Sequence, residues 1–140
     1  MHWGLEFELF PHPDQLVWAR RFADVGADLV VGHHPHVIQP ADVHVTTDQR
    51  HVPILYSLGN LTSMFSHPAM ALSMVARVRV AVAQGRTHVV RLELVPVAFM
   101  MADSYKLVRA ASVLEQDASH PYAIELARYA DLVLGAEWRP

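Results

Sequence analysis

The sequence contains no cysteine, which excludes disulfide bonds and thiolate-bound metals but leaves the cellular compartment open. Lys and Arg number 11 against 14 Asp and Glu. The resulting net charge of -3 argues against a general nucleic-acid-binding protein, which usually carries a basic stripe. No apolar run reaches the roughly 18 residues that a membrane-spanning helix needs. The first residues also lack the basic and apolar segments of a signal peptide.

The chain is nevertheless rich in apolar residues and in histidine. It has 140 residues, a common size for one domain, and 52% of them are hydrophobic, so it can bury a substantial core. Ten histidines is a high number for this length. We expect most of them to be exposed or hydrogen-bonded structural residues in turns and strands, namely His12, His44, His51, His67, His88 and His120.

One stretch concentrates the remaining histidines at the end of a predicted strand. The apolar run 29–31 stops at Gly32, and three imidazoles follow within four residues, those of His33, His34 and His36. Open α/β sheets bind ligands beyond the carboxyl ends of their strands. Gly32 permits a sharp turn there, and Pro35 fixes one backbone angle between two of the histidines.

Neutral imidazole is the commonest metal-binding side chain near neutral pH. The stretch therefore predicts a metal site at His34 and His36, with His33 as a supporting or alternative ligand. A solvated turn remains the alternative interpretation. The internal position of the cluster, the strand before it and the proline within it argue against a purification tag.

Hydrophobic periodicity predicts an α/β fold. A helix over about 13–25 is followed by Gly26 and by the strand 28–32. Helix, glycine and buried strand form one half of a βαβ unit, so a strand should precede the helix. Only residues 3–10 are available for that strand.

Beyond the histidines, alternating patterns predict strands at 42–47 and 51–58, and Asn60 follows the second of these beside the predicted site. Two longer runs, 71–83 and 87–99, flank a turn at 84–86 and predict a β-hairpin. The rest of the sequence predicts two helices. The first covers about 105–116 and is capped by Asp103 or Ser104, and the second covers about 121–134.

Three motifs together resemble a known family. His2-Trp3-Gly4-x-Glu6, the stretch 26–36 and the stretch 54–60 match, in order and spacing, the bacterial capsule-synthesis, poly-γ-glutamate-biosynthesis family of CapA type. That family is similar to the calcineurin-like metallophosphoesterases. The resemblance covers about residues 1–100, which would be the carboxyl-terminal half of such a domain, and 101–140 would be a helical extension.

The resemblance implies a partial metallophosphoesterase-like sandwich, with a βαβ half, a β-hairpin, flanking helices and a C-terminal helical pair. It implies two divalent ions, manganese, iron or zinc, at the strand ends. His2 matches an isolated histidine ligand, and His34 and His36 match an HxH pair with one ligand for each metal. His33 with His36 is the alternative pair, and His2 and His36 would act in catalysis. Glu6 and Asn60 match motif positions without an assigned role, and Asn60 could simply hold its loop.

The family's amino-terminal half carries an Asp-x-His motif, a bridging Asp and an Asn-His motif, and the chain begins where the second half would begin. We therefore expect a carboxyl-terminal fragment, or a start at an internal methionine, that is inactive alone. Its main partner would be the missing amino-terminal half. An uncovered sheet edge and apolar face would favour self-association.

The expected function is hydrolysis of a phosphoester, or support of polymer synthesis, by a bacterial capsule or poly-γ-glutamate biosynthesis protein. The alternatives are a non-catalytic component of an envelope assembly and a metal-binding pseudo-enzyme fragment. Anchored relatives would place the site at the cell envelope, and a cytoplasmic location stays open.

Overall fold

The computed structural model describes residues 1–62, 67–83, 85–101 and 105–139. Within these ranges it contains two three-stranded sheets and four α-helices, which confirms the mixed α/β class. Along the chain the elements are α1 (Pro13–Asp24), β1 (Val30–Val31), β2 (Ala41–Val45), β3 (His51–Leu55), α2 (Pro68–Ala71), β4 (Leu72–Ala83), β5 (Arg86–Met101), β6 (Tyr105–Arg109), α3 (Ala110–Asp117) and α4 (Pro121–Leu134). No helix in the described ranges is long and apolar enough to cross a membrane.

Helix α1 forms almost where the sequence predicts it. Pro13 occupies the first turn, where its missing N–H costs nothing, and the helix ends before Gly26, whose φ of +119° suits glycine. The helix buries Ala19 and Ala23, whose small side chains let it pack closely on the first sheet. Gln15 is also buried on this face, a polar residue that the apolar pattern did not anticipate.

The first sheet has the order β1-β3-β2. β1 and β3 are parallel, with Val30 opposite Ile54, whereas β2 is antiparallel to β3. Because β1 and β3 run in the same direction, their carboxyl ends meet at one sheet edge, and the segments 32–36 and 56–60 leave from it together. The strand expected before α1 is reduced to one parallel bridge between His2 and His33.

The second sheet has the order β4-β5-β6, all antiparallel. The predicted β-hairpin is confirmed: β4 and β5 pair from Leu72 with Ala98 to Ala83 with Arg86. Residue 84 of its turn lies outside the described residues.

The helix expected over 105–116 is wrong in its first part. Tyr105–Arg109 is strand β6, and its backbone pairs with β5 from Val97 to Met101. Residues with moderate helix propensity adopt the extended form here because a neighbouring strand edge is available for their hydrogen bonds. The helix starts only at Ala110, and the two proposed caps, Asp103 and Ser104, lie outside the described residues. The predicted terminal helical pair is otherwise present as α3 and α4.

A shared hydrophobic core joins the two parts of the chain. Ile38, which follows the histidine stretch, packs in one cluster with residues of β4, β5, α3 and α4, among them Leu72, Ala98, Ala110 and Leu126. A smaller cluster under α1 contains Val30, Ile54 and Tyr56. The histidine stretch therefore lies on an edge that is packed from both sides.

Three of the predicted structural histidines have the same role. His12, His67 and His120 each precede a proline at the start of a helix, and the side chain of each accepts a hydrogen bond from a backbone N–H of the first turn. For His120 the bond runs from Tyr122 N to Nδ1 at 3.1 Å. A fourth, His44, lies 2.9 Å from an Asp24 carboxylate oxygen. These contacts explain much of the high histidine content without invoking metal.

His120 offers a clean test of this capping role because α4 lies outside the predicted site. We expect His120→Ala to lower the free energy of unfolding by about 1 kcal/mol, the usual cost of losing an N-cap acceptor. His120→Asn keeps an acceptor oxygen and should retain most of the stability. Urea unfolding followed by circular dichroism measures both, and equal losses in the two variants would contradict the capping role.

Candidate metal centre

Two of the predicted ligands converge with a carboxylate. One ligand atom each from Glu6, His34 and His36 lies within 4.8 Å of the other two. His36 Nε2 and Glu6 Oε1 are 3.8 Å apart. Two ligands with bonds of about 2.1 Å to one ion can be at most about 4.2 Å apart. The three groups therefore fit a single cation after a small contraction, and their nitrogen and oxygen donors suit manganese, iron or zinc.

The backbone of this cluster is strained in a way that aims its side chains. His34 has φ of 108° and His36 has φ of 63°, with the buried Pro35 between them. Phe7, directly after Glu6, has φ of 67°. Non-glycine residues in this region cost on the order of 1–3 kcal/mol each and concentrate at functional sites. A hydrogen bond of 2.8 Å from Phe7 N to Pro35 O joins the two strained segments.

Asn60 fixes the orientation of the His36 ring. Its Nδ2 donates to the backbone oxygen of His36 at 3.0 Å, and its Oδ1 lies 2.7 Å from His36 Nδ1. Because a carbonyl oxygen only accepts, the amide orientation of Asn60 is determined, and Nδ1 must be the protonated ring nitrogen. In the neutral ring the lone pair of His36 is then on Nε2, the atom that faces Glu6. Such outer partners are typical of metal-binding histidines.

Trp3 anchors the segment that carries Glu6. Its indole N–H donates to Tyr56 O at 2.9 Å and crosses directly over Gly32. A Cβ atom at Gly32 would lie 2.1 Å from Tyr56 O and 2.2 Å from Trp3 Nε1. Gly32 is therefore required for close approach between the strand ends and the amino-terminal segment.

A buried pair of glutamines holds the other end of the same segment. Gln15 Nε2 donates to Gln39 Oε1 at 3.2 Å, and Gln39 Nε2 donates to the backbone oxygens of Glu8 and Phe10. Gln15 Oε1 in turn accepts from His12 N at 2.8 Å. Glu6 lies between the Trp3 anchor and this clamp, so its position is set by contacts on both sides.

His2 and His33, the other two predicted ligands, lie beside the cluster. The ring centroid of His2 is 4.2 Å from that of His34, so a third imidazole is available next to the pair. His33 forms the backbone bridge to His2. Partial burial, with the Met1 amino group and His2 as further causes, lowers the pKa of His33 and favours its neutral form. Neither residue shares the compact donor set of Glu6, His34 and His36.

An Asp-x-His string does occur in the chain, at Asp42-Val43-His44, but it lies elsewhere. These residues belong to β2, and His44 contacts Asp24 at the end of α1. They are outside the donor set described above. This Asp-x-His string therefore does not add a ligand pair to the cluster of Glu6, His34 and His36.

The donor that sequence reasoning left without a role is Glu6. A single carboxylate in a stretch without regular structure carries no periodic signal. Its position depends on the bond from Trp3 to Tyr56 and on the Gln15–Gln39 pair, contacts that link residues distant in sequence. The only available signal was its place four residues after His2 in the same motif. Phe7 was also missed, although its ring stacks on His36 with centroids 5.8 Å apart.

Comparison with known proteins gives the family of this segment. Residues 1–64 match the family described as bacterial capsule synthesis protein PGA_cap. The PGA biosynthesis protein CapA of Bacillus subtilis and the capsule biosynthesis protein CapA of Bacillus anthracis are each 48% identical over 59 residues. A protein of Mycobacterium tuberculosis named probable polyglutamine synthesis accessory protein is 34% identical over 61 residues.

Residues 1–64 are thus similar to the CapA-type capsule-synthesis family. The aligned residues make up 42–44% of this chain and 13–15% of these relatives, so the chain spans a small part of their length. The resemblance inferred from the motifs is thereby confirmed. The resemblance over residues 65–100 and the domain boundary at residue 100 stay predictions. Glu6, His34, His36 and Asn60 all lie inside the CapA-type segment.

The close approach at Gly32 gives a stability prediction. Gly32→Ala places a methyl group against a backbone oxygen that cannot move freely, so we expect a loss of about 3 kcal/mol, the upper end for overpacking. Gly26→Ala is the matched control: no atom lies within 4 Å of its Cβ, and only its positive φ costs about 1–2 kcal/mol. Denaturant unfolding compares the two, and a loss at Gly32 no larger than at Gly26 would refute the packing argument.

Proposed function

We propose that Glu6, His34 and His36 hold a divalent cation in a phosphoesterase-type site of a capsule or poly-γ-glutamate biosynthesis protein. The observation that carries the proposal is the convergence of one carboxylate and two imidazoles, with His36 oriented by Asn60. Manganese, iron and zinc all accept this donor set. Such an ion, when bound, polarises a phosphoryl oxygen and lowers the pKa of a coordinated water.

The residues of the chain supply the arrangement for this chemistry. Asn60 directs the Nε2 lone pair of His36 towards Glu6, and the strained backbone holds His34 beside it. His2, adjacent to His34, extends the donors towards a second ion. Two-metal hydrolase sites clamp a phosphoryl group between ions about 3.5–4 Å apart.

We further propose that this cluster is one part of a shared site. The described cluster offers three donors, with His2 beside it, which is few for two ions. In the complete protein, an amino-terminal half would add the remaining ligands and complete a metallophosphoesterase-like sandwich around the two sheets. This proposal agrees with the small share of the relatives' length that the chain spans.

A non-catalytic accessory role is the second candidate. The side chains of His36 and Glu6 are 38% and 54% exposed, so the cluster in this chain excludes little water. Catalytic electrostatic stabilisation is strongest in water-excluded sites. An open cluster could therefore hold a metal that only orders the loops of an envelope assembly.

Metal binding by the chain tests the donor set. We expect calorimetric titration with Mn²⁺ or Zn²⁺ to show binding that weakens by roughly tenfold or more in Glu6→Gln and in His36→Ala, because each variant removes a ligand. His51→Ala, an exposed histidine at the start of β3, is the control and should bind as the parent chain does. Equal affinity in all four proteins would refute the donor assignment.

Phosphatase assays then separate the two roles. With p-nitrophenyl phosphate, the chain alone should show no turnover, whereas addition of the amino-terminal half of a CapA relative should produce it. Robust turnover by the chain alone would overturn the shared site. Metal binding without turnover in the reconstituted protein would favour the accessory role.

Asn60 gives a prediction that distinguishes ring positioning from simple loop support. Asn60→Asp keeps an oxygen that accepts from His36 Nδ1, whereas Asn60→Ala removes it. We expect metal affinity to fall by about 10–100-fold in the alanine variant and by less in the aspartate variant. Imidazole nitrogen NMR of the metal-free chain should show the Nδ1–H form of His36 in the parent and in Asn60→Asp. The same tautomer in Asn60→Ala would contradict the positioning role.

A further inference from the structure

A small cavity lies between the amino-terminal segment and the start of α1. Its volume is about 210 Å³, below the roughly 300–1,000 Å³ of sites for drug-sized ligands. Trp3 and Trp18, two of the chain's three tryptophans, line it, and Trp18 is half exposed. His12, Asp14 and Gln15 also line it. The cavity therefore combines two indole rings with one carboxylate, outside the donor set of the candidate metal centre.

The polar groups at the base of this cavity are already hydrogen-bonded within the chain. The buried Gln15 accepts from His12 N at 2.8 Å through Oε1 and donates to Gln39 Oε1 at 3.2 Å through Nε2. At the start of α1, Pro13 has no N–H. The N–H groups of Asp14 and Gln15 donate to Nδ1 and to the backbone oxygen of His12. Because these donors are occupied, this helix start is a poor site for an anion.

Asp14 is the source of charge in the cavity. Its side chain is 83% exposed, and its carboxylate lies 3.6 Å from His12 Nδ1. Because His12 Nδ1 accepts from Asp14 N, the imidazole is in its neutral form and does not compensate the carboxylate. No Lys or Arg is among the described residues that line the cavity. One cation does lie over Trp18 from outside it, since the Arg21 guanidinium carbon is 5.1 Å from the ring centroid.

We infer that this cavity binds a small organic cation with an alkylated ammonium group. The faces of indole rings are electronegative and attract cations, as the position of Arg21 over Trp18 illustrates. Alkyl groups on the nitrogen bury apolar surface against the same rings. Asp14 adds the opposite charge at the exposed edge of the cavity. A quaternary ammonium group has no N–H to donate, so it does not need the acceptors that the chain already uses.

Two other kinds of ligand fit the cavity less well. A sugar also stacks on indole rings, but its hydroxyl groups need several hydrogen-bond partners, and those of Gln15 and of the helix start are engaged within the chain. An apolar group would cover the rings but would also remove water from the Asp14 carboxylate without a compensating charge. An alkylated cation satisfies both the rings and the carboxylate.

The test compares two ligands of the same shape with the whole chain. Choline carries a trimethylammonium group, and the neutral alcohol in which carbon replaces that nitrogen lacks only the charge. Two-dimensional NMR follows the indole N–H signals during titration. We expect saturable shifts at Trp3 and Trp18 but not at Trp138, and choline should bind about fivefold or more tightly than the alcohol, because only choline is attracted to the ring faces. Equal affinities for the two ligands would overturn the proposal.

Three variants separate the contributions, with affinity measured from backbone amide signals. Trp18→Leu should weaken choline binding by roughly tenfold, since it removes one indole wall. Asp14→Asn keeps the shape and should weaken it by about threefold, because an exposed carboxylate contributes modestly. Glu125→Gln, the matched control, removes the same charge from α4 and should bind as the parent chain does. Unchanged binding by Trp18→Leu, or equal losses in Asp14→Asn and Glu125→Gln, would contradict the assignment.

Two further measurements define what the cavity recognises. Inorganic phosphate should leave the Trp3 and Trp18 signals unshifted, and tighter binding of phosphate than of choline there would overturn the assignment to a cation. Glu6→Gln should bind choline unchanged, because Glu6 does not line the cavity. Failure of the metal proposal and failure of this one are therefore distinguishable.

Discussion

The hydrogen bond from the Trp3 indole to Tyr56 O, made across Gly32, is the contact on which the candidate site depends. It ties the amino-terminal segment to the ends of β1 and β3 at the point where their chains diverge. Because these strands are parallel, the histidine stretch and the Asn60 segment already leave from one edge. The indole adds the third segment, which carries Glu6. Without a glycine at position 32 the three segments could not meet.

Backbone strain and hydrogen bonds together determine how the donors are arranged. The positive φ angles at His34 and His36 are unfavourable, and the backbone bond between Phe7 and Pro35 and the two bonds of Asn60 offset them. Each of these bonds also fixes one feature of the donor geometry. The first sets the distance of Glu6 from the histidines, and the Asn60 pair determines which His36 nitrogen carries the proton. Folding energy and ligand geometry are therefore supplied by the same contacts.

Local patterns in the sequence were sufficient for α1, the β-hairpin and the position of Asn60 beside the histidines. These features rest on periodicity, helix-ending glycine and strand direction, all of which are readable over a few residues. Tyr105–Arg109 was misassigned because its extended form depends on the edge of β5, which local propensity does not contain. The role of Glu6 was unpredictable for a related reason: buried Gln15 and Gln39 position it from 9 and 33 residues away. The sequence thus revealed the donors that follow a strand and missed the one held by tertiary contacts.

The two sheets are held together by packing and by a backbone hydrogen bond. The candidate metal donors lie at the edge of the first sheet, inside the CapA-type segment, while the long β4–β5 hairpin belongs to the second sheet, outside that segment. The sheets are joined by the packing of Ile38 on Leu72 and by a backbone bond from Met74 N to Leu58 O. Leu58 and Met74 precede, respectively, Asn60 and the arginines of β4 by only a few residues. These contacts set the position of the β4–β5 hairpin relative to the histidines.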